Sequence, residues 1–174
     1  MEKIAYKIGF AESSEYAEIG ALMADVYSSL EGFPSRADQP NYYSLFDNLA
    51  TLVDNPATNL ITARDDSDKL LGSVIYFADM KYYGSGGAAT SLQNTSGLRL
   101  LAVNPDARGN GIGRALTQQC IEMAREKQQS QVALHTTQYM NSAWVLYESM
   151  GFRRFEEIDF FQGELPVSGF RLVL

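Results

Sequence analysis

The chain has 174 residues, 45% of them hydrophobic and 20% charged, enough for one domain spanning 1–174 that buries about 70% of the surface its unfolded form exposes. It holds no apolar run of about 18 residues, and the charged opening Met1-Glu2-Lys3-Ile4-Ala5-Tyr6-Lys7 lacks a signal-peptide pattern, so no membrane span is expected and the setting reads as cytoplasmic. A net charge of −7 argues against a nucleic-acid footprint and tolerates a cationic partner, while Cys120, the only cysteine, excludes an intramolecular disulfide and a cysteine zinc cluster; no metal is expected.

Ile4 to Phe10 reads as a first strand. Ser13 or Ser14 caps a helix to about Tyr27, with Ala17, Ala21, Leu22 and Val26 towards its buried side. Gly and Pro mark Ser28–Ser35 as a loop. A second helix spans Gln39 to Val53, where Asp54-Asn55-Pro56 stops it. Leu60–Arg64 and Leu70–Ala78 form an antiparallel hairpin around Asp65-Asp66-Ser67-Asp68, with Val74, Tyr76 and Ala78 on one face. Tyr82–Gly97, which includes Gly84-Ser85-Gly86-Gly87, is the longest candidate loop, either functional or a surface excursion.

Leu98–Val103 is a fourth strand, and it leads into Asn104-Pro105-Asp106-Ala107-Arg108-Gly109-Asn110-Gly111-Ile112-Gly113-Arg114, a glycine-rich turn opening a helix. Without Cβ atoms, Gly109, Gly111 and Gly113 let the backbone approach an anion and adopt positive φ. The free N–H groups of the new helix, with about half a positive charge, then point at it. Arg108 and Arg114 bracket the turn and offer planar forks of donors. A polyphosphate ligand follows. A nucleotide-hydrolase loop would need Lys and then Ser or Thr after the last glycine, where Arg114 and Ala115 stand. The spacing Gly109-x-Gly111-x-Gly113 also departs from the dinucleotide fingerprint G-x-G-x-x-G. A tight turn without a ligand is the remaining alternative.

The helix from Gly111 to about Lys127 carries Leu116, Cys120, Met123 and Ala124 at helical spacing, so Cys120 reads as a small buried hydrophobe. Val132–Thr136 is a fifth strand, Ser142–Met150 a helix closed by Gly151, and Phe152–Phe160 and Gly169–Leu174 complete the sheet.

Arg108-Gly109-Asn110-Gly111-Ile112-Gly113 resembles the R/Q-x-x-G-x-G/A signature of the GCN5-related N-acetyltransferase (GNAT) superfamily, which receives the pyrophosphate of acetyl-coenzyme A. Asn141-Ser142-Ala143-Trp144-Val145-Leu146-Tyr147-Glu148-Ser149-Met150-Gly151-Phe152 is similar to that family's later helix and its L-Y-x-x-x-G-F turn. The resemblance implies an α/β (α+β) GNAT fold: a single mixed central β-sheet of about seven strands flanked by helices, with the fourth and fifth strands splayed. Backbone groups of Leu101, Ala102 and Val103 are then expected to hold the pantetheine arm, and Arg108 to Arg114, including Asn110 and Ile112, to hold the pyrophosphate. Asn141 either hydrogen-bonds the pantetheine amides or caps its helix.

The implied reaction moves an acetyl group from acetyl-coenzyme A to a primary amine of a small molecule or a protein terminus; the alternative is a catalytically silent acyl-coenzyme A module. Tyr147 matches the family tyrosine that protonates the departing thiolate, and the Val103 N–H would face the carbonyl oxygen. Many members carry a glutamate on the fourth strand, yet residues 98–103 hold no carboxylate. His135 is the candidate proton relay, with Glu31 and Asp79 as weaker options, or the amine reacts as the free base. Arg99 either pairs with a buried acid or binds an anionic acceptor. Phe33, Tyr82, Tyr83, Phe160 and Phe161 offer walls for the acceptor mouth, over which the Tyr82–Gly97 loop would close, or else they form a homodimer interface.

Overall fold

The computed structural model describes residues 2–174. Strand β1 (Tyr6–Phe10) is followed by helix α1 (Tyr16–Ser28), α2 (Pro40–Asp47) and α3 (Ala50–Val53). Next come β2 (Thr58–Asp65), β3 (Leu70–Phe77), β4 (Thr95–Val103), α4 (Ile112–Glu126), β5 (Gln131–Thr136) and α5 (Asn141–Ser149). The chain ends with β6 (Arg153–Arg154), β7 (Phe160–Gln162) and β8 (Leu165–Val173). The eight strands form one mixed sheet in the order β1-β2-β3-β4-β5-β8-β6, with β7 pairing off β8.

The sheet separates two apolar cores. Ile19, Met23, Tyr43, Phe46, Leu52, Ile75 and Phe77 fill the face under α1–α3, and Val74, Tyr76, Ile112, Leu116, Cys120 and Phe152 fill the face under α4 and α5. Val74, Tyr76 and Ala78 do share a face, but β3 is buried along its whole length because helices cover both sides. On α1 the buried stripe is Ile19, Met23 and Val26 with Gly20 and Tyr27; Ala17 and Ala21 are exposed, correcting the expected face. The helix starts later than Ser13, after a 3-10 turn whose Glu15 carboxylate accepts from the Glu12 N–H. The expected single helix Gln39–Val53 is broken where Asn48 leaves helical geometry (φ −137°, ψ 54°), which lets Leu49, Leu52 and Val53 all turn inward.

Strand β4 begins at Thr95, inside the expected loop. Thr95, Ser96 and Gly97 look polar and turn-like, yet they pair in parallel with Gln131, Val132 and Ala133, and the Ser96 hydroxyl is bonded to the Tyr76 hydroxyl at 2.8 Å. Beyond that point the strands part. Leu134, His135 and Thr136 pair only with β8, while Arg99, Ala102 and Val103 pair only with β3. The divergence coincides with a bulge: Ser73 faces Ala102 and Ile75 faces Arg99, so Leu100 and Leu101 together oppose Val74, and Leu100 takes φ 58°.

The expected strand Phe152–Phe160 is two short strands instead, β6 and β7, around a 3-10 turn at Glu156–Ile158. The stretch 160–169, expected as a connection, is a hairpin: Gly163 turns at φ 63° between β7 and β8, and Pro166 opposes Phe161.

Candidate active site

A cleft of about 520 Å³ opens at the divergence of β4 and β5. One wall is β4. The Asn104 N–H donates to Leu71 on β3, so with two-residue alternation Ala102 also turns its backbone to β3, and Leu101 and Val103 turn theirs to the gap. Leu101 and Val103 accordingly line the cleft, whereas Ala102 is buried under α1 and does not, a correction to its expected place beside the pantetheine arm. The Leu101 carbonyl already accepts from the Tyr27 hydroxyl at 2.9 Å.

The floor of the cleft is the glycine turn. Gly109 and Gly111 sit at φ 82° and 81°, and a Cβ on Gly109 would meet nothing within 4 Å, so backbone conformation demands these glycines rather than crowding. Gly113 is helical; a Cβ there would lie 3.3 Å from Leu146, so this glycine lets the start of α4 approach α5. Ala115 is the first residue of the turn to bond back, to the Gly111 carbonyl, leaving the Ile112, Gly113 and Arg114 N–H groups free at the positive end of a 15-residue helix. Arg108 and Arg114 are exposed beside it, and Arg114 also donates to Ser149 at 2.7 Å. Asn110 turns away: its side chain accepts from the Ile4 N–H at 2.9 Å and donates to the Ala107 carbonyl at 2.9 Å. It braces the turn and pins the chain ahead of β1. Ile112 is buried with its side chain in the core, so only its backbone is free for a ligand.

Across the gap stands α5. Its capping position is Met140, so Asn141, in the first turn, is exposed at the cleft. Tyr139, Met140 and Tyr27 also line the cleft and escaped the sequence reading. Tyr27 carried a signal all the same, lying one turn beyond Met23 on the apolar stripe of α1. Tyr147 is buried, its ring 5.6 Å from that of Phe152, and its hydroxyl makes no hydrogen bond among the described residues. Burial first, then Cys120 and Tyr83, push its pKa well above that of a free phenol. Tyr147 lies beside the cleft rather than in its lining, and the Tyr27 phenol, on the opposite face of the sheet, is raised by burial first and then by Tyr42, Tyr147 and Tyr83.

A second, smaller cavity of about 60 Å³ adjoins the first through Tyr27 and Met140. It brings together Phe33, Tyr83, Arg99, His135 and Phe160. Tyr82 and Phe161 are not in it. Tyr82 packs beside the α1–α3 core under Lys81, and Phe161, on the outward side of β7, is 71% exposed. The segment 82–94 is not an open lid: Tyr83 and Ala89 are fully buried, and a Cβ on Gly86 would lie 2.7 Å from the Phe160 ring. Glu31 and Asp79 lie outside both cavities, Asp79 accepting from the Lys81 N–H.

His135 has both ring nitrogens engaged. Nε2 is 2.7 Å from the Ile158 carbonyl, which only accepts, so Nε2 carries the proton. Burial pulls the pKa below the ordinary 6.5, the Ile158 bond opposes this and Arg99 adds to it. The neutral ring therefore offers a bare Nδ1 to the Tyr83 hydroxyl at 3.1 Å. Among the described residues Arg99 meets no acid. Its Nη1 donates to the Tyr83 carbonyl at 2.8 Å and its guanidinium lies 5.5 Å from the centre of the Tyr83 ring. Among the described residues no group of three or more His, Cys, Asp and Glu is arranged to hold a metal, and no helix is long and apolar enough to cross a membrane.

Comparison with known proteins agrees with this geometry. The acetyltransferase (GNAT) family matches residues 23–152, three quarters of the chain. The chain belongs to the GNAT acetyltransferase family. An N-acetylaspartate synthetase of Danio rerio is 44% identical over 66 residues, 38% of this GNAT chain and 23% of that protein, so the match spans about a quarter of the curated relative. An acetyltransferase of the GNAT family from Staphylococcus aureus Mu50 shares the fold over 98% of this chain and 99% of its own, with TM-score 0.75 and 19% identity. A spermidine N-acetyltransferase from Vibrio cholerae, solved with CoA and spermine, does so over 97% and 95%, with TM-score 0.61 and 18% identity.

Proposed function

We propose that this GNAT chain transfers the acetyl group of acetyl-coenzyme A to a primary amine of a small molecule or a protein terminus. The observation that carries the reading is the cleft at the β4–β5 divergence, where an outward-facing strand edge leads directly to a left-handed glycine turn and a free helix N-terminus. These groups suit the two ends of the ligand. The Leu101 and Val103 backbones would receive the pantetheine amides as an added strand, with Asn141 opposite; Gly109, Gly111, the free N–H groups from Ile112 to Arg114 and the Arg108 and Arg114 guanidinia would hold the pyrophosphate. Acetyl-coenzyme A supplies an activated acetyl group and a thiolate leaving group.

The remaining steps fall to this chain. The Val103 N–H faces the gap and would hydrogen-bond the carbonyl oxygen as charge grows on it. Tyr147, kept protonated by burial and with its hydroxyl unpartnered, would give its proton to the departing sulfur. With no carboxylate on β4, the amine proton has another route: the Tyr83 oxygen takes it while passing its own proton to His135 Nδ1. Phe33 and Phe160 would wall the acceptor. Phe161, exposed on the hairpin, is left for a homodimer contact, and a cytoplasmic setting supplied with acetyl-coenzyme A completes the reading. Thiol release from acetyl-coenzyme A across a panel of amines tests it. Amine-dependent release is expected; binding without release with any amine would mark a silent acyl-coenzyme A module.

A further inference from the structure

We infer that the acceptor is a small amine that also carries a carboxylate, an amino acid in the broad chemical sense, and that Arg99 receives that carboxylate. This rests on the acetyltransferase reading and specifies its acceptor. Among the described residues the cavity beside the cleft has one formal charge on its wall, Arg99; no Asp or Glu lines it, and His135 is held neutral. Of the other arginines on the sheet, Arg64 pairs with Glu15 and Glu18 and Arg154 with Asp159, while Arg153 and Arg171 lie exposed to water. Arg99 appears in no ion pair among the described residues, although the chain has an excess of acids. Its protein contacts are the Tyr83 carbonyl and the Tyr83 ring, which use one donor and one face and leave the rest of the fork free at the cavity. A half-buried, unpaired guanidinium is costly, and a ligand carboxylate is the partner that matches its planar geometry.

A second feature of the same wall points to a polar ligand. Thr137 and Gln162 line the cavity beside Arg99 and add polar side chains to it. The small volume, about 60 Å³, admits a short skeleton only. An acceptor whose carboxylate sits on Arg99 would then have its amine towards Tyr27, Tyr83 and the cleft, at the mouth shared by the two cavities. A second ammonium group in this place would meet Arg99 instead of an acid. The overall charge of −7 therefore does not describe the acceptor site, whose local sign is positive.

The test compares wild-type kcat/KM, read as thiol release from acetyl-coenzyme A, for short amino acids, their carboxamides and diamines of equal length. The carboxylate-bearing acceptors should be favoured by about 10-fold or more, the scale of one charge-assisted contact. Arg99→Gln should remove that preference, lowering kcat/KM for the acids about 10- to 100-fold while leaving the carboxamides within a few-fold. Titration of the variant with acetyl-coenzyme A shows whether it is folded; should it not fold, the wild-type panel decides alone. Carboxamides or diamines used as well as the acids by the wild-type chain would overturn the inference and leave the acetyltransferase reading standing. Failure of the wild-type chain to bind acetyl-coenzyme A would end both.

Discussion

Tyr83 and His135 stand 52 positions apart in the chain, one just past the 3-10 turn Met80–Tyr82 that follows β3 and the other on β5, yet the Tyr83 hydroxyl reaches His135 Nδ1 at 3.1 Å. The Ile158 carbonyl fixes the tautomer from the other side at 2.7 Å, so a turn of the C-terminal segment orients a ring that lines the smaller cavity. In the proposed reaction a proton leaving an amine there would follow this pair, in place of a carboxylate on β4.

The neutrality of His135 has a consequence for stability. Its folded pKa is depressed below 6.5 by burial, so the unfolded chain binds more protons in the window just under 6.5. The His135 contribution is present above pH 6.5 and is lost as pH falls through the folded pKa, below which it changes no further. Denaturant midpoints measured from pH 7.5 down to 5 should fall more steeply in the wild type than in His135→Gln. Parallel curves would show the ring to be freely protonated in place.

Tyr147→Phe removes the proposed proton donor and keeps the ring that packs on Phe152. A kcat lowered about 10²-fold or more is expected, with acetyl-coenzyme A affinity unchanged. Equal kcat in the two proteins would leave Tyr147 a packing residue.

Asn110 is expected to act on the turn rather than on the ligand. Asn110→Ala strips hydrogen bonds from the Ile4 N–H and the Ala107 carbonyl and should lower unfolding free energy by about 1–2 kcal/mol. Hydrogen exchange should quicken around Ile4, tying the loss to the brace. A fully stable variant with weakened acetyl-coenzyme A binding would instead make Asn110 a direct contact.

Gly20 lies where α1 crosses the end of α2, and an added Cβ would run into the Phe46 carbonyl oxygen. Gly20→Ala should destabilise by about 1–3 kcal/mol or more despite the higher helix propensity of Ala, as a thermal melt will show; a raised melting temperature would mean that the two helices are not in contact.

What the sequence disclosed follows from how local each signal is. The glycine turn was legible because positive φ at Gly109 and Gly111 is a property of those residues alone, and the helices after it because Leu116 and Cys120 recur at helical spacing. The start of β4 was hidden because Thr95 and Ser96 are polar, and only a partner 20 residues away, Tyr76, makes Ser96 a core residue. The hairpin of β7 and β8 was hidden by Gly163 and Pro166, which signal a loop unless the edge position of Phe161 and Pro166 is known. Phe33, Tyr83, Arg99, His135 and Phe160 do meet in one cavity, but facing could not be read: two-residue alternation puts Phe160 inside and Phe161 outside. The missing partner of Arg99 is a fact about the whole surface, which no window of sequence contains.

The most direct test of the account is calorimetric titration of acetyl-coenzyme A into the wild type and into Arg108→Glu. Arg108 is exposed at the cleft, so its reversal changes the charge of the cradle without the backbone strain that any side chain would meet at Gly111, held at φ 81°. The account predicts one site per chain in the wild type and affinity weakened about 10-fold or more in the variant, less so as salt is raised. No binding to the wild type, or equal affinity in the two proteins, would contradict the assignment of the β4–β5 cleft to acetyl-coenzyme A.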